Sequence, residues 1–159
     1  LALACRPSLL LADEPTTALD VTVQIQIVLL LRELQRELGM SIIFVTHDVG
    51  VASEISDRIA VMYAGRFMEY GRAEELLLDP RHPYTASLLR STVHGAMRGQ
   101  RLDAIPGLPP DLLNLPPGCP FAPRCRHAAA ICEAPVALAK SADGRQTACA
   151  RATELLEPA

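Results

Sequence analysis

Two adjacent carboxylates, Asp13 and Glu14, close the apolar run Leu9-Leu10-Leu11-Ala12 in this chain of 159 residues. Such a run reads as a buried strand that delivers acid groups to the edge of a sheet, where parallel sheets place their ligand sites. Taken alone, the pair reads equally well as an acidic turn capping a helix. A second polar pair, His47-Asp48, follows Ser41 to Thr46, a stretch of strand length rich in β-branched and aromatic residues. A separate chemistry is offered by Cys119, Cys125, Cys132 and Cys149, spaced C-x5-C-x6-C-x16-C. Where thiols are kept reduced, clustered cysteines serve more often as metal ligands than as disulfides. The spacing lacks the paired C-x2-C knuckles of a zinc ribbon and is not a ferredoxin run. Tetrahedral Zn²⁺ and an iron–sulfur cluster both remain open, with His127 able to replace one thiolate. Cys5 stands apart among apolar neighbours and is expected to be a small buried hydrophobe.

The elements that must position these groups are legible. Arg6-Pro7-Ser8 breaks a helix-like opening segment, Leu9 to Ala12 is a strand, and Pro15 stops it. Asp20 is a good N-cap for a helix over Val21 to Leu38, in which Leu30, Leu34 and Leu38 repeat at i+4 and Gly39 supplies the C′ residue. With the strand that follows, the order is strand, helix, strand, the signature of a parallel α/β sheet. The acid pair and His47-Asp48 then converge on one edge. A short helix over Val49 to Ile55, strands over Arg58 to Tyr63 and Arg66 to Tyr70 around Ala64-Gly65, and a helix over Ala73 to Leu78 continue the sheet.

Three stretches in this order, Leu9-Leu10-Leu11-Ala12-Asp13-Glu14-Pro15, Thr17-Ala18-Leu19-Asp20 and Ile42-Ile43-Phe44-Val45-Thr46-His47-Asp48, resemble the Walker B strand, D-loop and switch histidine of an ABC-transporter ATPase. The resemblance implies that Asp13 holds Mg²⁺ through water, Glu14 polarises the attacking water and His47 contacts the γ-phosphate of ATP. It places Asp20 at the interface between two ATPase subunits. These roles suit the side chains: a carboxylate is a hard ligand for Mg²⁺, a second acid can position water for in-line attack, and an imidazole can donate to developing charge. No G-x-x-x-x-G-K-[ST] loop, glutamine loop or LSGGQ-type signature occurs in the 159 residues. Leu1 to Cys5 resembles the end of the helix that follows the signature. The chain is therefore expected to be the C-terminal part of a longer subunit, and to neither bind ATP tightly nor hydrolyse it alone.

After Asp79 proline becomes frequent and periodicity fades. Pro80-Arg81-His82-Pro83-Tyr84 reads as a turn into a short helix through Leu89, with Pro83 in its first turn and packing roles for His82 and Tyr84. The string also resembles the His-Pro-Tyr motif in the C-terminal extension of oligopeptide and dipeptide importer ATPases, as does Ile105-Pro106-Gly107-Leu108-Pro109-Pro110-Asp111-Leu112. Gly118-Cys119-Pro120-Phe121-Ala122-Pro123-Arg124-Cys125, with Cys132 and Cys149, is similar to the motif that holds a [4Fe–4S] cluster in dipeptide-importer ATPases. That resemblance implies the cluster at the four cysteines, ahead of zinc, of free thiols and of disulfides. A structural role is expected for it, since a Pro-rich tail with few aromatics builds little core. Arg124 and Arg126 flank Cys125 and are candidates to offset its charge, or are solvated surface groups.

The expected fold class is thus α/β: the C-terminal part of a P-loop NTPase parallel sheet with flanking helices over residues 1–78, then a small Pro/Cys-rich extension over 79–159. The implied partners are a second ATPase subunit, transmembrane permease subunits and, indirectly, a solute-binding protein, with the chain peripheral at the cytoplasmic face of the membrane. An independent metal-binding regulatory module, or an importer of nickel or another non-peptide solute, is the alternative. A formal charge of -3 offers no basic field for nucleic acid. The longest apolar runs, such as Ile27 to Leu31, fall far below the ~18 residues needed to span a bilayer.

Overall fold

Strand β1 (Leu9–Asp13) pairs in parallel with β2 (Ser41–Val45), Leu9 opposite Ser41 and Asp13 opposite Val45. Helix α1 (Val21–Leu38) makes the crossover between them, and its ends are set as the sequence dictates. The Asp20 carboxylate accepts a hydrogen bond from the Val23 N–H at 3.0 Å, and Gly39 closes the helix with φ 63°, a conformation glycine adopts without a Cβ clash. Helix α2 (Val49–Ile55) follows β2 and is tied to α1 by Arg32, whose Nη1 donates to the Glu54 carbonyl at 2.7 Å. A computed structural model describes residues 1–91 and 104–156, and the chain divides into two units, Leu1–Ser56 and Asp57–Ala159. These strands and helices, with the turns over residues 2–5, make up the first unit.

In the first unit alternate strand residues turn opposite ways, as the pleat requires. Leu10, Ala12, Ile42 and Phe44 are buried or half-buried, while Leu9, Leu11, Ile43 and Val45 form an exposed apolar row. Two sequence expectations fail here. Residues 2–5 form turns rather than the end of a helix, closed by the Ala4 N–H to the Leu1 carbonyl at 3.0 Å and the Arg6 N–H to the Leu3 carbonyl at 3.1 Å. Cys5 is exposed, not buried.

The second unit is built on an antiparallel sheet in the order β3-β4-β6-β5, so its strands do not extend the parallel pair as the sequence suggested. Strands β3 (Arg58–Tyr63) and β4 (Arg66–Arg72) form a hairpin around Ala64 and Gly65, whose φ values of 49° and 73° suit a two-residue turn matched to strand twist. Helices α3 (Ala73–Leu78) and α4 (Pro83–Ser91) follow, with Pro83 opening α4 where its missing N–H costs nothing. Two strands of two residues each, β5 (Ala139–Lys140) and β6 (Gln146–Thr147), add to β4, and α5 (Ala152–Leu156) comes last. The Pro-rich tail does have a core. Phe121, Tyr63, Met68 and Ala148 are buried together, and Tyr84 packs on them with ring centroids 4.6 Å from Tyr63 and 5.3 Å from Phe121. Tyr63 and Met68 come from the β3–β4 hairpin, so the segment after Asp79 borrows core from residues before it.

A buried ionic network locks that arrangement. Glu69, 1% exposed, accepts from the Arg81 and His82 N–H groups at 2.8 and 2.9 Å and from Arg145 Nη2 at 3.2 Å. Arg145 also donates to the Asp79 carboxylate at 2.9 Å and to its carbonyl. A buried carboxylate is tolerable only with its lone pairs satisfied, and three donors do this.

Candidate functional site

The parallel register brings the ends of β1 and β2 level, so Glu14, one residue past β1, meets His47, two residues past β2. Glu14 Oε1 lies 3.2 Å from His47 Nδ1, and Oε2 accepts from the Thr17 hydroxyl at 2.9 Å. The Glu14 N–H donates to the Val45 carbonyl at 2.9 Å, which fixes the backbone between the two strands. Its φ of 44° lies in the left-handed region, sparsely used by residues with a side chain and characteristic of strain held at functional sites. The His47 ring, and after it the Thr17 hydroxyl, hold the Glu14 carboxyl below the usual carboxylate range, so it is ionised at neutral pH. Because a carboxylate only accepts, this contact is a hydrogen bond when His47 Nδ1 carries a proton.

Asp13 closes β1 with an exposed side chain beside this pair. Asp20 spends one oxygen as the α1 cap. Asp48, at the same edge, caps α2, its Oδ1 accepting from the Gly50 and Val51 N–H groups at 2.8 and 3.2 Å. Thr17 went unrecognised as a partner of Glu14, although a hydroxyl three residues on is a common local acceptor-to-donor spacing.

In the second unit Cys119, Cys125, Cys132 and Cys149 all line one cavity, with His82, Phe121, His127 and Arg151. All four are free thiols. Among the described residues, no group of three or more His, Cys, Asp or Glu side chains is placed to hold a metal ion. Burial pushes the Cys119, Cys125 and Cys149 thiols up, and neighbouring cysteines add to the shift. Backbone N–H groups two residues further on, those of Phe121, His127 and Arg151, act on these three sulfurs in the opposite direction and favour the thiolate.

Arg66 acts on the Cys119 thiol, and Arg151 interacts with Cys125, Cys132 and Cys149. Arg124 donates to the Pro106 carbonyl at 2.8 Å, the Ile105 carbonyl at 3.0 Å and the Tyr63 hydroxyl at 3.1 Å, pinning the Pro-rich segment. Arg126 donates to His127 Nε2 at 3.1 Å, which occupies that nitrogen.

Gly118 allows the cysteine segments to meet. The Cys119 N–H donates to the Cys132 carbonyl at 2.9 Å, and a Cβ on Gly118 would overlap that oxygen and lie 2.7 Å from the Glu133 carbonyl oxygen. Gly118→Ala is expected to cost about 1–3 kcal/mol, as overpacking does, and to part Cys119 from Cys132. Urea unfolding checks the first effect, and retained full stability would show that the backbone yields without cost.

Residues 68–132 match the family model described as oligopeptide/dipeptide transporter, C-terminal region. The oligopeptide transport ATP-binding protein of Salmonella typhimurium is 53% identical over 156 residues, 98% of this chain and 47% of that protein. The dipeptide transport ATP-binding protein of Bacillus subtilis is 50% identical over 133 residues, 84% of this chain and 40% of that protein. The chain spans about half the length of the relatives it matches. By these matches the chain is similar over most of its length to oligopeptide and dipeptide transport ATP-binding proteins, and residues 68–132 to the C-terminal region of that family.

Proposed function

We propose that the chain carries the hydrolytic edge and C-terminal extension of an ABC-importer ATPase subunit that powers uptake of di- and oligopeptides. The observation that carries this reading is the Glu14–His47 contact at 3.2 Å across the ends of two parallel strands, in a chain half identical to peptide transport ATP-binding proteins. In this reading Glu14 accepts the proton of the attacking water, Asp13 holds Mg²⁺ through water and His47 steadies the γ-phosphate. With Nδ1–H given to Glu14, Nε2 can donate to phosphate only as imidazolium or after the Glu14 contact is released. Residues 1–78 belong to the nucleotide-binding domain and 79–159 to the extension. The apolar row Leu9, Leu11, Ile43 and Val45 supports a larger sheet, since parallel strands are ordinarily covered on both faces. No phosphate-binding loop lies in these 159 residues, so the phosphates of ATP need a segment outside them.

Asp20 keeps one carboxylate oxygen for a second ATPase subunit. Permease subunits and a solute-binding protein complete the importer, with this subunit on the cytoplasmic membrane face. Among the described residues no helix is long and apolar enough to cross a membrane.

The four cysteines line one cavity, and four thiolates suit an iron–sulfur cluster or zinc; the resemblance of the cysteine segment to dipeptide-importer ATPases favours the cluster. Burial holds the Cys119, Cys125 and Cys149 thiols protonated, and backbone N–H groups with Arg66 and Arg151 offset part of that effect. When bound, the cluster would cross-link segments over 31 residues of irregular chain from Cys119 to Cys149.

The test is the complete importer in vesicles, with iron and acid-labile sulfide measured on the same preparation. Peptide-stimulated, Mg²⁺-dependent ATP turnover is expected, with iron and sulfide present. An assembled complex that turns over ATP without response to peptide would overturn the substrate assignment, and zinc without iron would overturn the cluster.

A further inference from the structure

Thr17 stands outside the acid pair and the histidine, yet it is the second group that holds the Glu14 carboxylate. Its hydroxyl donates to Oε2 at 2.9 Å while His47 Nδ1 meets Oε1 at 3.2 Å, so each oxygen has one tether. The main chain fixes where that hydroxyl stands. The Glu14 N–H donates to the Val45 carbonyl at 2.9 Å, the Thr17 N–H to the Glu14 carbonyl at 3.1 Å and the Leu19 N–H to the Thr16 carbonyl at 3.2 Å. Thr16 is buried, and its hydroxyl accepts from Gln24 Nε2 on α1 at 3.4 Å, which anchors the turn to the helix behind it. Thr17 therefore presents a donor whose place is set before any reaction begins.

The two tethers are not equivalent. His47 has a second task in the hydrolytic reading above, on which this inference rests: it steadies the γ-phosphate, and release of the Glu14 contact is one of its two routes to that task. Once His47 turns away, the exposed Glu14 side chain keeps the Thr17 hydroxyl. A carboxylate free to rotate would meet water in many poses, and misplacing a reacting group by about 1 Å can cost about 10²-fold in rate. We infer that Thr17 is a positioning residue of the hydrolytic edge: its hydroxyl keeps the Glu14 carboxylate aimed while His47 serves the phosphate, leaving Oε1 to take the proton of the attacking water. A threonine that only shaped the turn would act through its N–H, which any residue but proline supplies.

The experiment uses the complete importer in vesicles, unaltered or carrying Thr17→Val, Thr17→Ser, Glu14→Gln or Thr17→Val with Glu14→Gln. Valine keeps the β-branch and the turn N–H, so it removes the hydroxyl alone, at an exposed position. The expected result is a kcat for ATP about tenfold lower in Thr17→Val at unchanged KM, the worth of one hydrogen bond to a charged group, and a return to within about twofold in Thr17→Ser. In the Glu14→Gln background Thr17→Val is expected to leave the residual turnover unaltered, because the group it positions is gone. A turn-shaping role would instead lower kcat equally in both backgrounds. That result, an unaltered kcat in Thr17→Val, or a loss confined to KM would overturn the role of Thr17 and leave the Glu14 reading standing. A Glu14→Gln importer that turns over ATP like the unaltered one would overturn that reading, and this inference with it.

Discussion

Glu14→Gln in the complete subunit is expected to lower ATP turnover by about 10²–10⁴-fold, the range contributed by a positioned general base. Nucleotide binding should survive, because Gln keeps the side-chain length and leaves Asp13 untouched. On the proposed reading the carboxylate, and not merely a polar group, is required at this position. His47 and Thr17 both favour the ionised form, one at each oxygen, and the Val45 carbonyl holds the backbone N–H. The amide in Gln can still meet Thr17 and His47 but cannot take a proton from water. Turnover and nucleotide affinity measured on the same preparation separate the two effects. A variant that hydrolyses ATP within a few-fold of the unaltered subunit would remove Glu14 from the reaction and leave its strained φ without a function.

The Glu14–His47 edge was legible because local rules and the topology agreed. The run Leu9 to Ala12, the Asp20 cap and Gly39 announce strand, helix and strand, and a parallel crossover then obliges Glu14 and His47 to share an edge. Asp48 stands past the second strand as the sequence places it, and there it caps α2. The second unit was less legible, because its order depends on contacts distant in sequence. Strands β5 and β6 have two residues each and carry no periodicity, yet Thr147 pairs with Glu69 across 78 positions. The core could not be seen from the tail alone, since Tyr63 and Met68 supply part of it. Arg66 and Arg151 reach the cysteines only through the fold, while Arg124, adjacent to Cys125 in sequence, is drawn away by two carbonyls and a hydroxyl.

Arg145 gives that long-range order its largest single energetic test. Arg145 is 5% exposed and Glu69 1%, so Arg145→Ala leaves a buried carboxylate without its cation. Breaking such a pair from one side costs about 3–5 kcal/mol, and the Arg81 and His82 N–H groups that still reach Glu69 favour the lower end. The Asp79 side chain is largely exposed, so its arm of the network adds little in water. Lysine should not substitute, because Arg145 divides its fork between Glu69 on one side and the Asp79 carboxylate and carbonyl on the other. Glu69→Gln combined with Arg145→Met should cost less than the two single changes added together, since no unpaired charge remains. Cys149 follows β6 by two residues, so loss of the Arg145 anchor is also expected to loosen one wall of the cysteine cavity while the Ala148 N–H to Met68 carbonyl bond, at 2.8 Å, still holds the strand end. Denaturant unfolding of the variants gives the coupling energy, and the rate of thiol labelling at the four cysteines reports the cavity. An Arg145→Ala protein as stable as the parent would mean that Glu69 is satisfied by its two main-chain donors alone, and that the hairpin holds Cys149 by backbone pairing without help from charge.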